Sequence, residues 1–149
     1  MHQLRPLRFA LLTLVAATLV ACGPRETPEQ HLNRLRKAHD IVPTGATTVR
    51  DKLGGAKLVV DLRVTNHSAE KLNSLTVNVR VEDVEGDERL FRPVTLDLSN
   101  TRPGVGVQMA AVIDDFELAD DDMVTVEIAG DLTDEELRGL PEFADIPKK

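Results

Sequence analysis

Aromatic residues are scarce in this chain of 149 residues, which has no tryptophan, no tyrosine and four phenylalanines. The four are Phe9, Phe91, Phe116 and Phe143. Aromatic rings supply large, flat apolar contact surfaces, against which enzymes and binding modules commonly seat sugars. The composition therefore disfavours both a polysaccharide hydrolase and a carbohydrate-binding module.

Cysteine is almost as rare, because Cys22 is the only one in the chain. A single thiol forms no intrachain disulfide and builds no multi-cysteine metal site. The sequence also lacks H-E-x-x-H, G-x-S-x-G and a phosphate-binding loop. His31 and His39 lie eight residues apart and His67 lies in a predicted turn, so we expect all three to be solvent-exposed. No cofactor is predicted, although abundant acidic residues leave a catalytic carboxylate pair open.

Long apolar runs are missing apart from one near the start of the chain, at residues 9–20. This run has the length of a signal-peptide core and is too short to span a bilayer. Arg5 and Arg8 precede it, and Ala21 and Cys22 follow it. The order of charge, apolar core and small residue predicts a cleaved leader over residues 1–21.

The run Leu19-Val20-Ala21-Cys22 resembles the lipobox of a bacterial lipoprotein signal. The resemblance implies cleavage between Ala21 and Cys22 and a lipid anchor on Cys22 in the cell envelope. An ordinary secreted leader with an incidental cysteine is the alternative. In a host with two membranes, Gly23 resembles the signal of lipoproteins sorted to the outer membrane, facing the periplasm.

Acidic residues outnumber basic ones after the predicted cleavage, with 25 against 16. This balance argues against nucleic acid or anionic lipid as the main partner. The charge is also uneven, because residues 24–82 hold 10 basic and 7 acidic side chains, whereas residues 83–149 hold 6 and 18. Such asymmetry can steer a basic partner, and solubility alone is the alternative.

Helix signals flank the central part of the chain. Thr27 and Gln30 form a capping box around Pro28, which predicts a helix over residues 28–39. Thr133 and Glu136 form a second capping box, which predicts one helical turn, followed by a loose tail at 141–149. The predicted order is a tether (22–27), a short helix and linker (28–46), a β-sandwich (47–131) and the C-terminal helical turn and tail (132–149).

Apolar and polar residues alternate through the central part, which is typical of half-buried strands. The predicted strands are 57–66, 75–82, 89–97, 105–116 and 123–130. In the second of these, Val77 and Val79 should face inward while Asn78 and Arg80 face solvent. Pro93 cannot donate to a strand ladder and indicates an edge strand. The pattern predicts a mainly β protein, an antiparallel two-layer β-sandwich.

Residues 58–87 carry a family resemblance. They read as a strand, the turn Val64-Thr65-Asn66-His67-Ser68, and the strand Leu75-Thr76-Val77-Asn78-Val79-Arg80-Val81-Glu82-Asp83 before Gly86. This is similar to small immunoglobulin-like or fibronectin-III-like sandwiches of bacterial cell surfaces, including the CARDB and FxLYD groups. The resemblance implies an immunoglobulin-like fold and an adhesion, spacer or accessory role. The aromatic positions that such families often carry are missing here.

Two acidic turns are the candidate metal sites. Asp83, Glu85 and Asp87 alternate around Gly86, and the second group is Asp120, Asp121 and Asp122. Oxygen-rich loops at the ends of a sandwich can bind calcium. Asp and Gly are also what tight turns require, so solvated turns are the alternative reading.

The sequence thus predicts a lipid-anchored, non-enzymatic envelope β-sandwich that binds or spaces another envelope protein. The alternative is an inhibitor or immunity-type lipoprotein that blocks a basic envelope hydrolase through its acidic face. An enzyme is the third possibility.

Overall fold

The computed structural model describes residues 25–146, so Ala21 and Cys22 lie outside the described residues. The described elements, in chain order, are α1 (Pro28–Ala38), β1 (His39–Arg50), β2 (Ala56–Asn66), β3 (Ser74–Glu82), β4 (Glu88–Asp97), β5 (Gly106–Asp114), β6 (Met123–Ile128), α2 (Asp134–Arg138) and a 3-10 helix (Pro141–Phe143). No helix in this part of the chain is long and apolar enough to cross a bilayer.

The six strands form two antiparallel three-stranded sheets, with strand orders β1-β2-β5 and β4-β3-β6. The chain changes sheet between β2 and β3, between β4 and β5, and between β5 and β6. Each sheet therefore has one central strand and two edge strands. The prediction of a mainly β, two-layer antiparallel sandwich is confirmed.

The core lies between the sheets and is built mainly from alternate residues of the two central strands. The buried apolar side chains of those strands are Leu58, Val60, Leu62 and Val64 in β2 and Leu75, Val77, Val79 and Val81 in β3. Leu32 and Leu35 of α1 and Phe143 of the 3-10 helix belong to the same buried cluster. The predicted inward positions of Val77 and Val79 are confirmed.

Sequence alternation locates β2 to β6 closely, and β4 is an edge strand as Pro93 predicted. The first strand is the exception. The segment 40–46, predicted as linker, lies within β1, which begins at His39. The pairing of β1 with β2 shifts register between Pro43 and Gly45, so the alternation of exposed and buried residues is interrupted there. Because of this interruption, β1 does not show the alternation of apolar and polar residues that is typical of a half-buried strand.

The outer face of β3 is less exposed than predicted. Asn78 was expected to face solvent, but it is buried, and its amide donates to the carbonyl oxygen of Gly130. The neighbouring Thr76 is buried as well, and its backbone N–H donates to Glu142 Oε1 over 2.5 Å. The C-terminal segment covers this part of the sheet, because it packs back onto β3 after β6 ends.

The C-terminal segment is also more ordered than predicted. The capping box of Thr133 and Glu136 is present, and α2 ends with Gly139 as its C-cap. Residues 141–146, predicted as part of a loose tail, form the 3-10 helix and a turn, with Phe143 and Ile146 buried. Two apolar residues in a short polar stretch anchor this segment to the core.

Candidate functional site

The strand directions place three loops together at one end of the sandwich. Residues 51–55 join β1 to β2, residues 83–87 join β3 to β4, and residues 115–122 join β5 to β6. We call these loops the acidic end, since they hold nine acidic side chains and one basic side chain, Lys52. The opposite end, which we call the helix end, carries α1 and the loops 67–73 and 98–105.

Asp83 uses its carboxylate to build its own turn. Its Oδ1 accepts hydrogen bonds from the backbone N–H groups of Glu85 (2.9 Å) and Asp87 (3.0 Å). Gly86 has a φ of +86° in this turn, a left-handed conformation that glycine adopts without steric cost. Asp83 is therefore a turn-forming residue, whereas Glu85 and Asp87 point into solvent.

Asp122 is the structural member of the second acidic group. Its side chain is only 2% exposed, accepts from the backbone N–H of Ala119 over 2.8 Å, and forms an ion pair with Arg89 of β4. The hydrogen bond from Arg89 lowers the pKa of Asp122 below its ordinary value, and the Ala119 N–H adds to the effect. The Arg89 guanidinium also lies 5.4 Å from the centre of the Phe116 ring. These contacts tie the 115–122 loop to β4.

The remaining carboxylates of the acidic end do not converge. Asp120 and Asp121 are exposed beside Asp122. Across residues 25–146, no group of three His, Cys, Asp or Glu side chains is placed to hold a metal ion. The calcium candidates Asp83, Glu85, Asp87, Asp120, Asp121 and Asp122 thus share one end of the fold without forming one ligand set.

Exposed apolar side chains accompany these acids. Leu53, in the β1–β2 turn, is 97% exposed, and Val84, in the β3–β4 turn, is 73% exposed. Met123, where β6 begins, is more than half exposed. Sequence reasoning missed this set, although a leucine directly before Gly54 and Gly55 in a predicted turn was a usable signal. The acidic end therefore combines negative charge with apolar tips.

The helix end differs, because three of its polar side chains, those of His31, His39 and Glu142, are buried inside the fold. His31 of α1 is buried, and its Nε2 lies 2.8 Å from the carbonyl oxygen of Glu142. Its Nδ1 lies 3.0 Å from Glu26 Oε2 and 2.9 Å from Arg34 Nη2. The His31 ring also meets the Phe143 ring edge-on at 4.7 Å between centroids. His31 thereby links the first and last described elements.

Of the three histidines expected to be exposed, only His67 is, and it pairs with Asp40 over 2.7 Å. His39 is buried where α1 meets β1, and its Nδ1 lies 3.0 Å from the Leu35 carbonyl oxygen. Burial of His31 and His39 corrects the prediction. Helix amphipathicity was the available signal, because His31, Leu32, Leu35 and His39 fall on one side of a helix.

A cavity of about 480 Å³ opens between α1, the 67–73 loop and the C-terminal segment. His31, His39 and Glu142 line it. His39 Nε2 and Glu142 Oε2 are both buried without a hydrogen-bond partner. Both atoms are inaccessible to solvent, so a molecule in the cavity would not contact either of them directly.

The acidic C-terminal half of the sequence does not form one acidic region in space. Asp134, Glu135 and Glu136 belong to α2, which packs near α1 at the helix end. The acidic residues of the C-terminal half of the sequence therefore lie at both ends of the fold, in α2 and in the loops of the acidic end.

No family model, no curated protein and no solved structure matches this chain. The predicted lipidation and cleavage residues, Cys22 and Ala21, lie outside the described residues.

Proposed function

We propose that this chain is a lipid-anchored, non-enzymatic envelope protein whose β-sandwich binds another envelope protein through the acidic end. One observation carries the proposal. The three loops farthest from α1 combine nine acidic side chains with the exposed tips Leu53 and Val84. A partner with a basic surface and an apolar depression fits this chemistry.

Charged and apolar side chains contribute differently to such an interface, the first to the rate of association and the second to affinity. Clustered carboxylates raise the rate at which a basic partner arrives. Apolar side chains that become buried on contact supply affinity, at about 25 cal/mol for each Å² removed from water. Leu53 and Val84 contribute little to the stability of the domain, because both are mostly exposed. Both side chains are therefore available for contact with another molecule.

The proposed anchor fits the same geometry. Helix α1 begins at Pro28, six residues after Cys22, so a short tether would hold the helix end near the membrane. β2 has eleven residues and spans about 36 Å along the sandwich. This length exceeds the Debye length of about 8 Å at physiological ionic strength several times over. The acidic end would therefore stand clear of anionic headgroups, free to meet a partner.

An inhibitor of a basic envelope hydrolase is the second candidate. The observation that favours it is the shape of the β1–β2 turn, which presents Leu53 almost fully exposed at the tip of a hairpin. A protruding apolar tip surrounded by acids can enter a basic cleft. Tight one-to-one binding with loss of hydrolase activity would identify this role.

Site-specific photo-crosslinking in cells tests the docking surface. We would place a photoreactive amino acid at Leu53 or Val84 in the full chain, and at Asn100 as a matched control. Asn100 is exposed in the 98–105 loop at the helix end. We expect one discrete crosslinked product with a basic protein from Leu53 and Val84 and none from Asn100. Equal products from all three positions would contradict the proposal.

The anchor has its own test. Cys22→Ser removes the thiol that would accept the lipid, so we expect an uncleaved precursor without lipid label. Membrane fractionation with metabolic fatty-acid labelling measures both effects. Normal cleavage after Ala21 in the serine variant would show that the leader is not a lipoprotein signal.

A further inference from the structure

The four edge strands of the sandwich are unequally protected against pairing with another strand. Natural proteins protect edges with proline, register irregularities, charged residues or short length. β4 has Pro93 and a register shift near its start, and β1 has a register shift beside Pro43. β6 is only six residues long and contains Glu127. Three of the edges are therefore protected.

β5 has only one of these protections, the charged residue Asp114 at its last position. It has nine residues, pairs with β2 without a register shift, and contains no proline. From Gly106 to Ile113 it carries no charged side chain at all. An edge of this length and composition is a template for an added strand.

The backbone groups that face the open side can be identified from the ladder. The N–H of Gly104 donates to the carbonyl of Asn66 on the β5 side of β2. Alternate residues of β2 share this direction, so Val60 and Leu62 exchange hydrogen bonds with Ala111 and Met109. The N–H and C=O groups of the intervening β5 residues point outward, away from the sheet. These residues are Gln108, Ala110 and Val112, and all three side chains are exposed.

We propose that β5 pairs with β5 of a second copy of this chain, antiparallel and centred on Ala110. A two-fold axis through this point joins the two three-stranded sheets into one six-stranded sheet and keeps both cores on the same side. Ala110 then exchanges two backbone hydrogen bonds with Ala110 of the other copy. The inference is independent of the acidic end and of the lipid anchor.

The sequence of β5 is self-complementary in this register. Gln108 lies opposite Val112, Ala110 lies opposite itself, and Gly106 lies opposite Asp114. No like charges face one another across the axis, even though the whole chain is strongly acidic. The smallest side chain of the outward set occupies the symmetric position, where two identical side chains must fit together.

The space beside β5 is open in the single chain. A cleft of about 390 Å³ runs between the end of β5 and β4, and its lining combines apolar side chains such as Leu90 and Phe116 with the charged side chains of Arg92, Asp114 and Asp115. Val112, which also lines it, is 50% exposed. The cleft gives a second strand access to the outward backbone groups near Val112.

Co-purification of two differently tagged copies of the full chain from detergent-treated whole-cell lysates tests the proposal. We expect the parent copies to co-purify. Ala110→Pro removes only an outward N–H, so the β2 ladder is kept, and an edge strand tolerates proline. Because two hydrogen bonds across the axis are lost, we expect recovery of the second copy to fall roughly tenfold or more. The control is Val49→Lys, on the protected edge strand β1, which should behave as the parent.

Charged substitutions at Ala110 test the register of the pairing. They also keep the proposal testable if the proline variant fails to fold. Two Ala110→Lys copies should co-purify poorly, because like charges would lie directly opposite. A mixture of Ala110→Lys and Ala110→Glu copies should recover the parent level. The proposal is overturned if parent copies do not co-purify, if Ala110→Pro is without effect, or if the mixed charges fail to restore pairing.

Discussion

The helix end and the acidic end use polar residues in opposite ways. At the helix end, His31 and Glu142 are buried and bind backbone groups of distant elements. At the acidic end, Asp120, Asp121 and Glu85 extend into solvent, and Leu53 is almost wholly exposed. A buried side chain that forms hydrogen bonds within the domain cannot also contact a partner. The comparison therefore separates the residues that hold this domain together from those that remain free for recognition.

The largest expected effect comes from a pair of apolar truncations, one at each end. Phe143→Ala removes a side chain that is 1% exposed and packs on His31, so we expect the free energy of unfolding to fall by about 3–5 kcal/mol. Leu53→Ala should leave it within about 0.5 kcal/mol, because Leu53 is exposed. Denaturant unfolding measures both. Similar losses at the two positions would break the comparison.

A smaller effect is expected inside the acidic end, where Asp122 differs from its neighbour. Asp122→Asn removes the ion pair with Arg89, so we expect a lower unfolding midpoint. Asp121→Asn, the matched control, changes an exposed carboxylate and should leave the midpoint unchanged. Thermal unfolding at low salt measures the difference. If the two variants unfold alike, Asp122 belongs with the solvent-exposed acids.

The pH dependence of the helix end should be weaker still. Hydrogen bonding from Arg34 lowers the pKa of Glu26 below its ordinary 4.5, with His31 contributing in the same direction. A depressed pKa adds stability above 4.5 that is lost as the pH falls through the folded-state value. Because Glu26 is 37% exposed, we expect less than about 1 kcal/mol. Glu26→Gln should flatten the stability profile below pH 4.5, and denaturant unfolding at a series of pH values measures this.

The smallest expected effect is that of calcium on the acidic end. Because the carboxylates there do not converge, we expect excess calcium to leave the melting temperature unchanged. Calorimetry with calcium and with a chelator measures this. A calcium-dependent rise in the melting temperature that Asp120→Asn abolishes would show that these loops bind the metal.

Sequence alternation locates most of this fold because a strand with one buried face carries its own signal. The inward set of β3, from Leu75 to Val81, is buried as the pattern predicts. The beginning of β1 could not be predicted, because the irregularity at Pro43 interrupts the alternation. The burial of Asn78 and Thr76 could not be predicted for a different reason, since a segment more than 50 residues later in the chain covers them. A local sequence pattern carries no information on contacts with such distant segments.

The candidate site was only partly predictable from the sequence. The sequence shows which loops are acidic. Because successive strands run in opposite directions, the order of the strands brings both acidic turns to the same end of the sandwich. The sequence does not show that Asp83 and Asp122 are engaged by their own loops while Asp120 and Asp121 are free. For Asp122 the difference depends on Arg89 of β4, which is 33 residues away along the chain. Pairing between a loop and a distant strand is a tertiary property.

The contact between His31 and Glu142 joins residues 111 positions apart. A chain made from its N-terminus produces α1 more than 100 residues before the 3-10 helix, so the His31 ring lacks its partner while the intervening residues are made. Contacts of such long sequence separation slow folding, because a long loop must close before they form. The described domain therefore reaches its final packing only after the 3-10 helix has been made. Deleting the 3-10 helix would remove the partners of His31, leaving α1 held by Leu32, Leu35 and its other contacts.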